Sequence, residues 1–432
     1  MAVRMRHSKV LLTLALTSSI GLFFLYSPPK TKEGQDQEWM WRPERNVNNP
    51  PKVELATPPE KKSTPLPERQ SKPIPIEISE KFRQAIPQSS AFWNRKQHFL
   101  FKQNDLARSL KGNVSEWERL NKSSCTPVSR EMLRTNIQDF DSYPALYKDF
   151  LQGMDCRDPP ILIDQPSKCR VVDRQGQIFL LFAIKSVPRN FERRQAIRDT
   201  WGQEGAYEGG LKVRMVFLLG KSPPDEPNLD QLLHYEAQHF KDLLQWDFRD
   251  SFYNLTLKEN AFYSWALQRC SHVKFIFKGD DDVFVNPQAM IDYLRALETQ
   301  KASKLYVGQI VTKASPFRDS KSKYYVPHSF YEGPYPPYAG GGGFLFAGAL
   351  LKPLYQLAEY IAFFPIDDVY TGMCFQALGI NPVVHSSFHT FDIREQDREN
   401  ACVHRNLLLV HQRSPQQTMR LWKNMLSPLL TC

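Results

Sequence analysis

Residues 178–184 read Ile-Phe-Leu-Leu-Phe-Ala-Ile, an unbroken apolar run of strand length, and no other feature constrains the fold as tightly. A strand without polar alternation must be covered on both faces, the condition of an interior strand in a parallel sheet. The pattern then keeps alternating. Glu192 to Trp201 reads as an arginine-rich helix and Val213 to Leu219 as a second strand. Asp230 to Lys241 and Leu257 to Gln268, the latter after a threonine, read as helices, and Phe275 to Phe277 as a short strand. Strands alternating with helices predict an α/β fold with a largely parallel sheet. No internal repeat is visible.

The short strand runs into Lys278-Gly279-Asp280-Asp281-Asp282-Val283-Phe284-Val285. In open α/β sheets ligands lie beyond the carboxyl ends of the strands, where this triplet falls. Three adjacent carboxylates repel one another and become tolerable where a cation sits between them. A solvated acidic turn is the ordinary alternative, but apolar residues on both sides pin this turn between buried segments. An oxygen-ligand set favours Mg²⁺ or Mn²⁺ over zinc. Further on, Tyr338-Ala339-Gly340-Gly341-Gly342-Gly343-Phe344 joins four glycines to an apolar strand. Glycines there permit positive φ and close approach of the backbone to a ligand. Asp367-Asp368 opens a further helical pattern, as helix caps or as catalytic carboxylates.

The first third of the chain is of another kind. Arg4, Arg6 and Lys9 precede an apolar run from Val10 to Tyr26. At a rise of about 1.5 Å per residue this run spans roughly 25 Å, adequate for a thin bilayer. The basic flank predicts a cytosolic tail (1–9) and a retained transmembrane signal anchor (10–26). A cleaved signal peptide competes, but no small-x-small cleavage pattern follows Tyr26. Residues 28–87 hold 12 prolines with few bulky apolar residues, which predicts a disordered stem over 27–90. Residues 91–177 are expected to form an accessory lumenal segment and 178–432 the catalytic domain.

Seven widely spaced cysteines, with neither C-x-x-C nor a zinc pattern, fit disulfides in an oxidising compartment. Their pairing is left open; Cys374, in a helical apolar run, is expected to be a buried free thiol. Sequons at Asn113, Asn121 and Asn254 agree with lumenal exposure. The net charge of +10 is interspersed and accompanied by no nucleic-acid reading motif, so no nucleic-acid partner is expected. A basic lumenal surface or a site for an anionic substrate accounts for it.

Together these runs resemble the inverting β1,3-glycosyltransferases of the Golgi, most nearly the β1,3-N-acetylglucosaminyltransferases that extend galactose-ended chains. The resemblance rests on Ala183–Ser186, Arg193–Gly202, Phe217–Gly220, Phe277–Val285, Tyr335–Phe346 and Pro365–Cys374, in that order over most of 178–411. It implies an A-type glycosyltransferase fold, a Rossmann-like mixed sheet flanked by helices. It also implies a UDP-sugar donor, UDP-GlcNAc, a divalent cation (Mn²⁺, with Mg²⁺ as the substitute), and galactose-terminated glycan acceptors on glycoproteins or glycolipids. A single-pass type II Golgi membrane protein is the implied topology, with homo- or hetero-oligomers with other glycosyltransferases left open.

On this resemblance Asp368 is the general base, and Asp282 and His411 are metal ligands, although His411 also reads as a buried histidine beside a strand. Lys185, Arg194, Arg198, Asp280, Asp281, Gly341 and Gly342 face the nucleotide sugar; in an extended turn the Asp281 side chain would point away. Asp367, Tyr338 and Phe344 face the acceptor, with helix capping the alternative for Asp367. Related β1,3-galactosyltransferases carry glutamate at the position of Asp367, so the aspartate favours N-acetylglucosamine. A β1,3-galactosyltransferase using UDP-Gal is the runner-up, and a catalytically inactive lectin of the same fold the rival from another class.

Overall fold

The computed structural model describes residues 76–109, 125–170, 177–226 and 228–432. Twelve strands lie among them: β1 (Ile161–Ile163), β2 (Ile178–Lys185), β3 (Gly205–Tyr207), β4 (Leu211–Lys221), β5 (Leu243–Arg249), β6 (Phe275–Asp280), β7 (Phe284–Val285), β8 (Tyr306–Val311), β9 (Tyr338–Ala347), β10 (Val383–Val384), β11 (Phe388–His389) and β12 (Leu409–Val410). The apolar run becomes β2, buried at every residue and flanked in parallel by β4 and β6. The main sheet has nine strands in the order β1-β5-β4-β2-β6-β9-β8-β10, with β3 added against β4. Strands β5, β4, β2 and β6 are parallel, whereas β1, β3 and β9 pair antiparallel with their neighbours. The sheet is therefore mixed, an α/β architecture with helices between its strands. The expected helices are present, with ends displaced by a few residues: Phe191–Arg198, Asn228–Phe240 and Leu255–Arg269.

A second, three-stranded sheet orders β11-β12-β7, with Leu409 opposite Val285 and Val410 opposite Phe284. This pairing brings the C-terminal region back to the acidic turn. The Cys402–Cys432 disulfide closes the segment that contains β12. Cys125–Cys156 and Cys169–Cys270 are the other two bridges, and Cys374 is free and buried.

The expected boundaries of stem and accessory segment are corrected. A helix at Glu80–Ala85 lies inside the stretch assigned to the stem, capped by Ser79. Ile78, Phe82 and Ile86 all point into the core, a helical spacing that the surrounding prolines obscure. Ser79 ties this helix to the far end of the chain, its N–H donating to the Ala377 carbonyl at 2.8 Å. Nor do residues 91–170 form a separate unit. Fully buried Trp93 donates its indole N–H to the Ala362 and Phe363 carbonyls, both at 3.1 Å. One continuous hydrophobic core runs from Ile78 to Met425.

The expected anchor (10–26), the sequons Asn113 and Asn121 and most of the stem lie outside the described residues. Among the described residues no helix is long and apolar enough to cross a membrane. The sequon at Asn254 is corrected. Its side chain is buried and donates to the Arg249 carbonyl at 2.9 Å, so the folded protein offers no free amide to a glycan.

Candidate active site

The acidic turn leaves β6 at Asp280, which stands in register with Lys185 at the end of β2. Its three carboxylates diverge. Asp281 turns inward, accepting from Ser186 Oγ at 2.6 Å, Asn190 Nδ2 at 2.9 Å and Arg193 Nη1 at 3.0 Å. It therefore braces the turn, a correction to its expected contact with the nucleotide sugar. Asp280 and Asp282 face the crevice with His411, which β12 delivers beside the turn. His411 Nε2 is 3.0 Å from Asp282 Oδ1 and 3.9 Å from Asp280 Oδ2. Its Nδ1 lies 2.8 Å from the Thr390 carbonyl, so Nδ1–H donates there, and Nε2 faces the carboxylates, donating to Asp282 when protonated and offering its lone pair to a cation when neutral. The Arg413 N–H donates to the Asp282 carbonyl at 2.7 Å and fixes the two segments together.

One ligand atom from each of Asp280, Asp282 and His411 lies within 4.8 Å of the others. Two carboxylates and an oriented imidazole fit a divalent cation. Burial raises the Asp280 carboxyl above its ordinary range, with Lys185 opposing. Burial also works to raise Asp282, but its bonds to His411 and Arg193 prevail and hold it below.

Asp367 and Asp368 begin the Asp367–Ala377 helix without capping it. Their environments split them. Asp367 is buried between two lysines, with Oδ2 2.8 Å from Lys185 Nζ and 3.2 Å from Lys278 Nζ. Burial opposes its ionisation, but the two ammonium groups hold it far below the carboxylate range. Asp368 is raised well above that range by burial and then by the charge of Asp367. One carboxylate is thus a permanent anion inside a clamp, while its neighbour, partly open to the crevice, is able to take up a proton. The expected acceptor contact of Asp367 is corrected accordingly.

The clamp extends further. Lys278 Nζ is 2.5 Å from Glu259 Oε2, and Glu259 accepts from Thr371 Oγ1 at 3.0 Å and from the Tyr263 hydroxyl. The helix carrying Asp368 is therefore held at Asp367 and again one turn later at Thr371. Lys185 also reaches Asp280 at 3.0 Å and the Gly341 carbonyl at 3.5 Å. Its three donors are engaged, so it links Asp280 to Asp367 and has none left for a diphosphate.

All four glycines lie within β9, and none has positive φ. Of the two uses expected of them, positive φ is not made, and the close approach is to the side chains of Asp368 and His411. A Cβ at Gly341 would fall 2.4 Å from Asp368 Oδ1, and one at Gly342 would fall 3.0 Å from the His411 ring. Three further expectations are corrected. Phe344 is 1% exposed and packs on Tyr306 with ring centroids 5.5 Å apart, so it is core. Arg194 is fully buried, paired with Glu236 at 2.7 Å and bonded to the Val187 and Pro188 carbonyls. Arg198 is taken by Asp242 and Glu236. Both arginines hold the fold and have no cationic face left for a nucleotide.

Arg193, which sequence reasoning passed over, faces the crevice instead, 3.1 Å from Asp282 Oδ2. A lysine ending an apolar strand was the available signal for Lys278; nothing local distinguished Glu259. Tyr338 is half-buried beside Asp368, and burial followed by that carboxylate pushes its hydroxyl up to about 12.

Carboxylates at strand ends, a carboxylate pair at a helix start and glycine backbone between them thus meet in one crevice. Residues 192–386 match the family model described as galactosyltransferase. The chain is 44% identical over 360 residues to N-acetyllactosaminide beta-1,3-N-acetylglucosaminyltransferase 2 of Mus musculus, and equally to that of Homo sapiens, covering 82% of this chain and 89% of each relative. It is 41% identical over 302 residues to UDP-GlcNAc:betaGal beta-1,3-N-acetylglucosaminyltransferase 7 of Rattus norvegicus, covering 68% of this chain and 74% of that one. The chain belongs to this galactosyltransferase family, among its β-1,3-N-acetylglucosaminyltransferase members, and is a glycosyltransferase.

Proposed function

We propose that this enzyme transfers N-acetylglucosamine from UDP-GlcNAc, in β1,3 linkage and with inversion, to the terminal galactose of glycan chains. The observation that carries the reading is the split pair, with Asp367 locked as an anion by Lys185 and Lys278 and Asp368 left to accept a proton. Inversion by one displacement asks for a single base at the acceptor hydroxyl and no covalent nucleophile. Asp368 takes the proton from the galactose C3 hydroxyl as the new bond forms. Gly341 leaves room for that carboxylate, and the Asp367 and Thr371 contacts keep its helix in place.

Asp280, Asp282 and His411 would hold a Mn²⁺ ion, with Mg²⁺ as substitute, and a bound cation offsets the negative charge of the UDP leaving group. Arg193 adds positive charge on the same side of the crevice. The relatives' names support N-acetylglucosamine as donor sugar and galactose as acceptor. The basic flank and apolar run at the N-terminus support a type II Golgi anchor with the catalytic domain in the lumen.

The test is a transfer assay on galactose-ended acceptors with UDP-GlcNAc and UDP-Gal in parallel, with Mn²⁺ and with excess EDTA. Transfer from UDP-GlcNAc alone, abolished by EDTA and restored by Mn²⁺, is expected. Preferential use of UDP-Gal would overturn the donor, and full activity in EDTA would overturn the metal role of Asp282.

A further inference from the structure

His411 follows the two-residue strand β12, so the aim of its ring depends on the segments packed behind it. Two of those segments are bent in a costly way. Gln412, next along the chain, has φ 62°, and Asp392, two residues beyond Thr390, has φ 71°. Left-handed backbone is disfavoured for a residue with a Cβ, and it persists only where the surrounding contacts hold it.

One side chain meets both bends. Arg413 is fully buried, and its Nη1 donates to Asp392 Oδ1 at 2.9 Å, to the Gln412 carbonyl at 3.0 Å and to the His411 carbonyl at 3.2 Å. Asp392 is held from its other sides as well. Its Oδ1 accepts from the Ile393 N–H at 2.7 Å, and Arg398 pairs with its Oδ2.

The Asp392 loop carries the group that orients the imidazole, the Thr390 carbonyl that faces His411 Nδ1. Gln309 Oε1 on β8 steadies Thr390 from behind, accepting from its N–H at 2.7 Å and from its hydroxyl at 3.1 Å. β9 closes on it from another side, since a Cβ at Gly340 would fall 2.4 Å from Thr390 Oγ1. One guanidinium therefore grips the backbone of His411 and the loop that aims its ring. The backbone N–H of the same arginine holds the Asp282 carbonyl at 2.7 Å. Both ends of the contact between His411 and Asp282 thus depend on Arg413.

We propose that Arg413, acting through Asp392 and the His411 backbone, is a positioning residue that holds the imidazole against Asp282 and so sets the affinity of the enzyme for its divalent cation. The inference rests on the metal reading above. Groups behind a ligating histidine fix the orientation of its ring, and a ring turned away gives up its share of the binding.

The test measures Mn²⁺ dissociation constants of the full chain from the electron paramagnetic resonance signal of the free ion. Arg413→Met and Asp392→Ala should each weaken binding by about 10- to 100-fold, the scale for losing an outer partner of a metal ligand. Asp392→Asn should stay near wild type, because its amide oxygen still accepts from Arg413 and asparagine tolerates the same φ. Should Arg413→Met fail to fold, the contrast between the two Asp392 variants decides. Leu133→Ala, in the core of the Arg130–Asn136 helix, lowers stability without touching these contacts and should leave the constant unchanged. Wild-type affinity in Arg413→Met and Asp392→Ala would overturn the proposal, as would equal weakening by Leu133→Ala. If the wild type binds no Mn²⁺, or His411→Ala binds it as tightly, the metal reading fails. Nitrogen chemical shifts of metal-free, ¹⁵N-histidine-labelled enzyme, at a pH where the ring is neutral, then decide the positioning. His411 should carry its proton on Nδ1 in the wild type and lose that preference in Arg413→Met; an unchanged spectrum would overturn the role of Arg413.

Discussion

Gly341→Ala adds one methyl group and should disable the enzyme without unfolding it. Its Cβ would lie 2.4 Å from Asp368 Oδ1, 2.6 Å from Oδ2 and 2.7 Å from Cγ, against an ordinary contact of 3.4 Å or more. Either the strand or the carboxylate must withdraw by about 1 Å, the shortfall from that ordinary contact. The strand is the stiffer partner. β9 is anchored on either side of Gly341, with Gly343 opposite Gly279 and Ala339 opposite Ile310, and its ladder to β8 shifts register between those points. The Asp368 carboxylate therefore moves, and a 1 Å misplacement at a reacting group costs roughly 10²-fold in rate. Stability should change little, because Gly341 has no positive φ and the roughly 0.5–1 kcal/mol of unfolded-state entropy that alanine removes is offset by the cost of displacing the carboxylate. The assay is kcat at saturating UDP-GlcNAc and acceptor, with thermal unfolding as the control. On an Asp368→Asn background the added methyl should cost almost nothing, since both changes remove the same function. A Gly341→Ala enzyme with near-normal kcat would show that Asp368 is not the base, or that its position against the glycine does not matter.

The two neighbouring carboxylates should part company under mutation. Asp368→Asn should lower kcat about 10²-fold or more with unchanged melting temperature, whereas Asp367→Asn leaves two buried lysines short of a counter-charge and should cost about 3–5 kcal/mol of stability in denaturant titration. A kcat–pH profile should fall on the acid side at a pH above the ordinary carboxylate range, because Asp368 must be ionised to act and burial with the Asp367 charge raises its pKa. A limb near pH 4 would contradict that environment. Arg194→Leu leaves Glu236 with Arg198 as its partner but removes the donors to the Val187 and Pro188 carbonyls, and should destabilise the fold by about 1–3 kcal/mol, while half-exposed Arg193→Ala should leave stability within about 1 kcal/mol and depress transfer. Asn254→Gln should leave the endoglycosidase mass shift of the wild type unchanged; a smaller shift would show that Asn254 is glycosylated despite its burial.

Much of the site's inventory was readable along the chain. The β2 run announced a doubly covered strand because burial on both faces forbids alternation. The acidic turn stood out through its apolar flanks, and the resemblance supplied Asp368, Asp282 and His411. Assignments between near neighbours were less secure. Arg193 and Arg194 differ by one helical position, about 100° of rotation, and local pattern did not say which would meet Glu236 and which Asp282. Phe344 and Tyr338 lie on one strand, yet only the packing of Tyr306 made the first core. The helix at Glu80–Ala85 was hidden because proline content was averaged over a window longer than the helix.

What the sequence by itself determined was local: periodicity, charge adjacency, and glycines where a side chain would not fit. The tertiary structure alone decided which charges meet. Lys185 and Asp367 are 182 residues apart, and His411 reaches Asp282 only through the pairing of β12 with β7. Each of these contacts depends on sheet order and register, which arise from burying the whole apolar core at once. The division of labour between Asp367 and Asp368 follows from that, because two lysines from different strands converge on one carboxylate and leave the other free to take a proton.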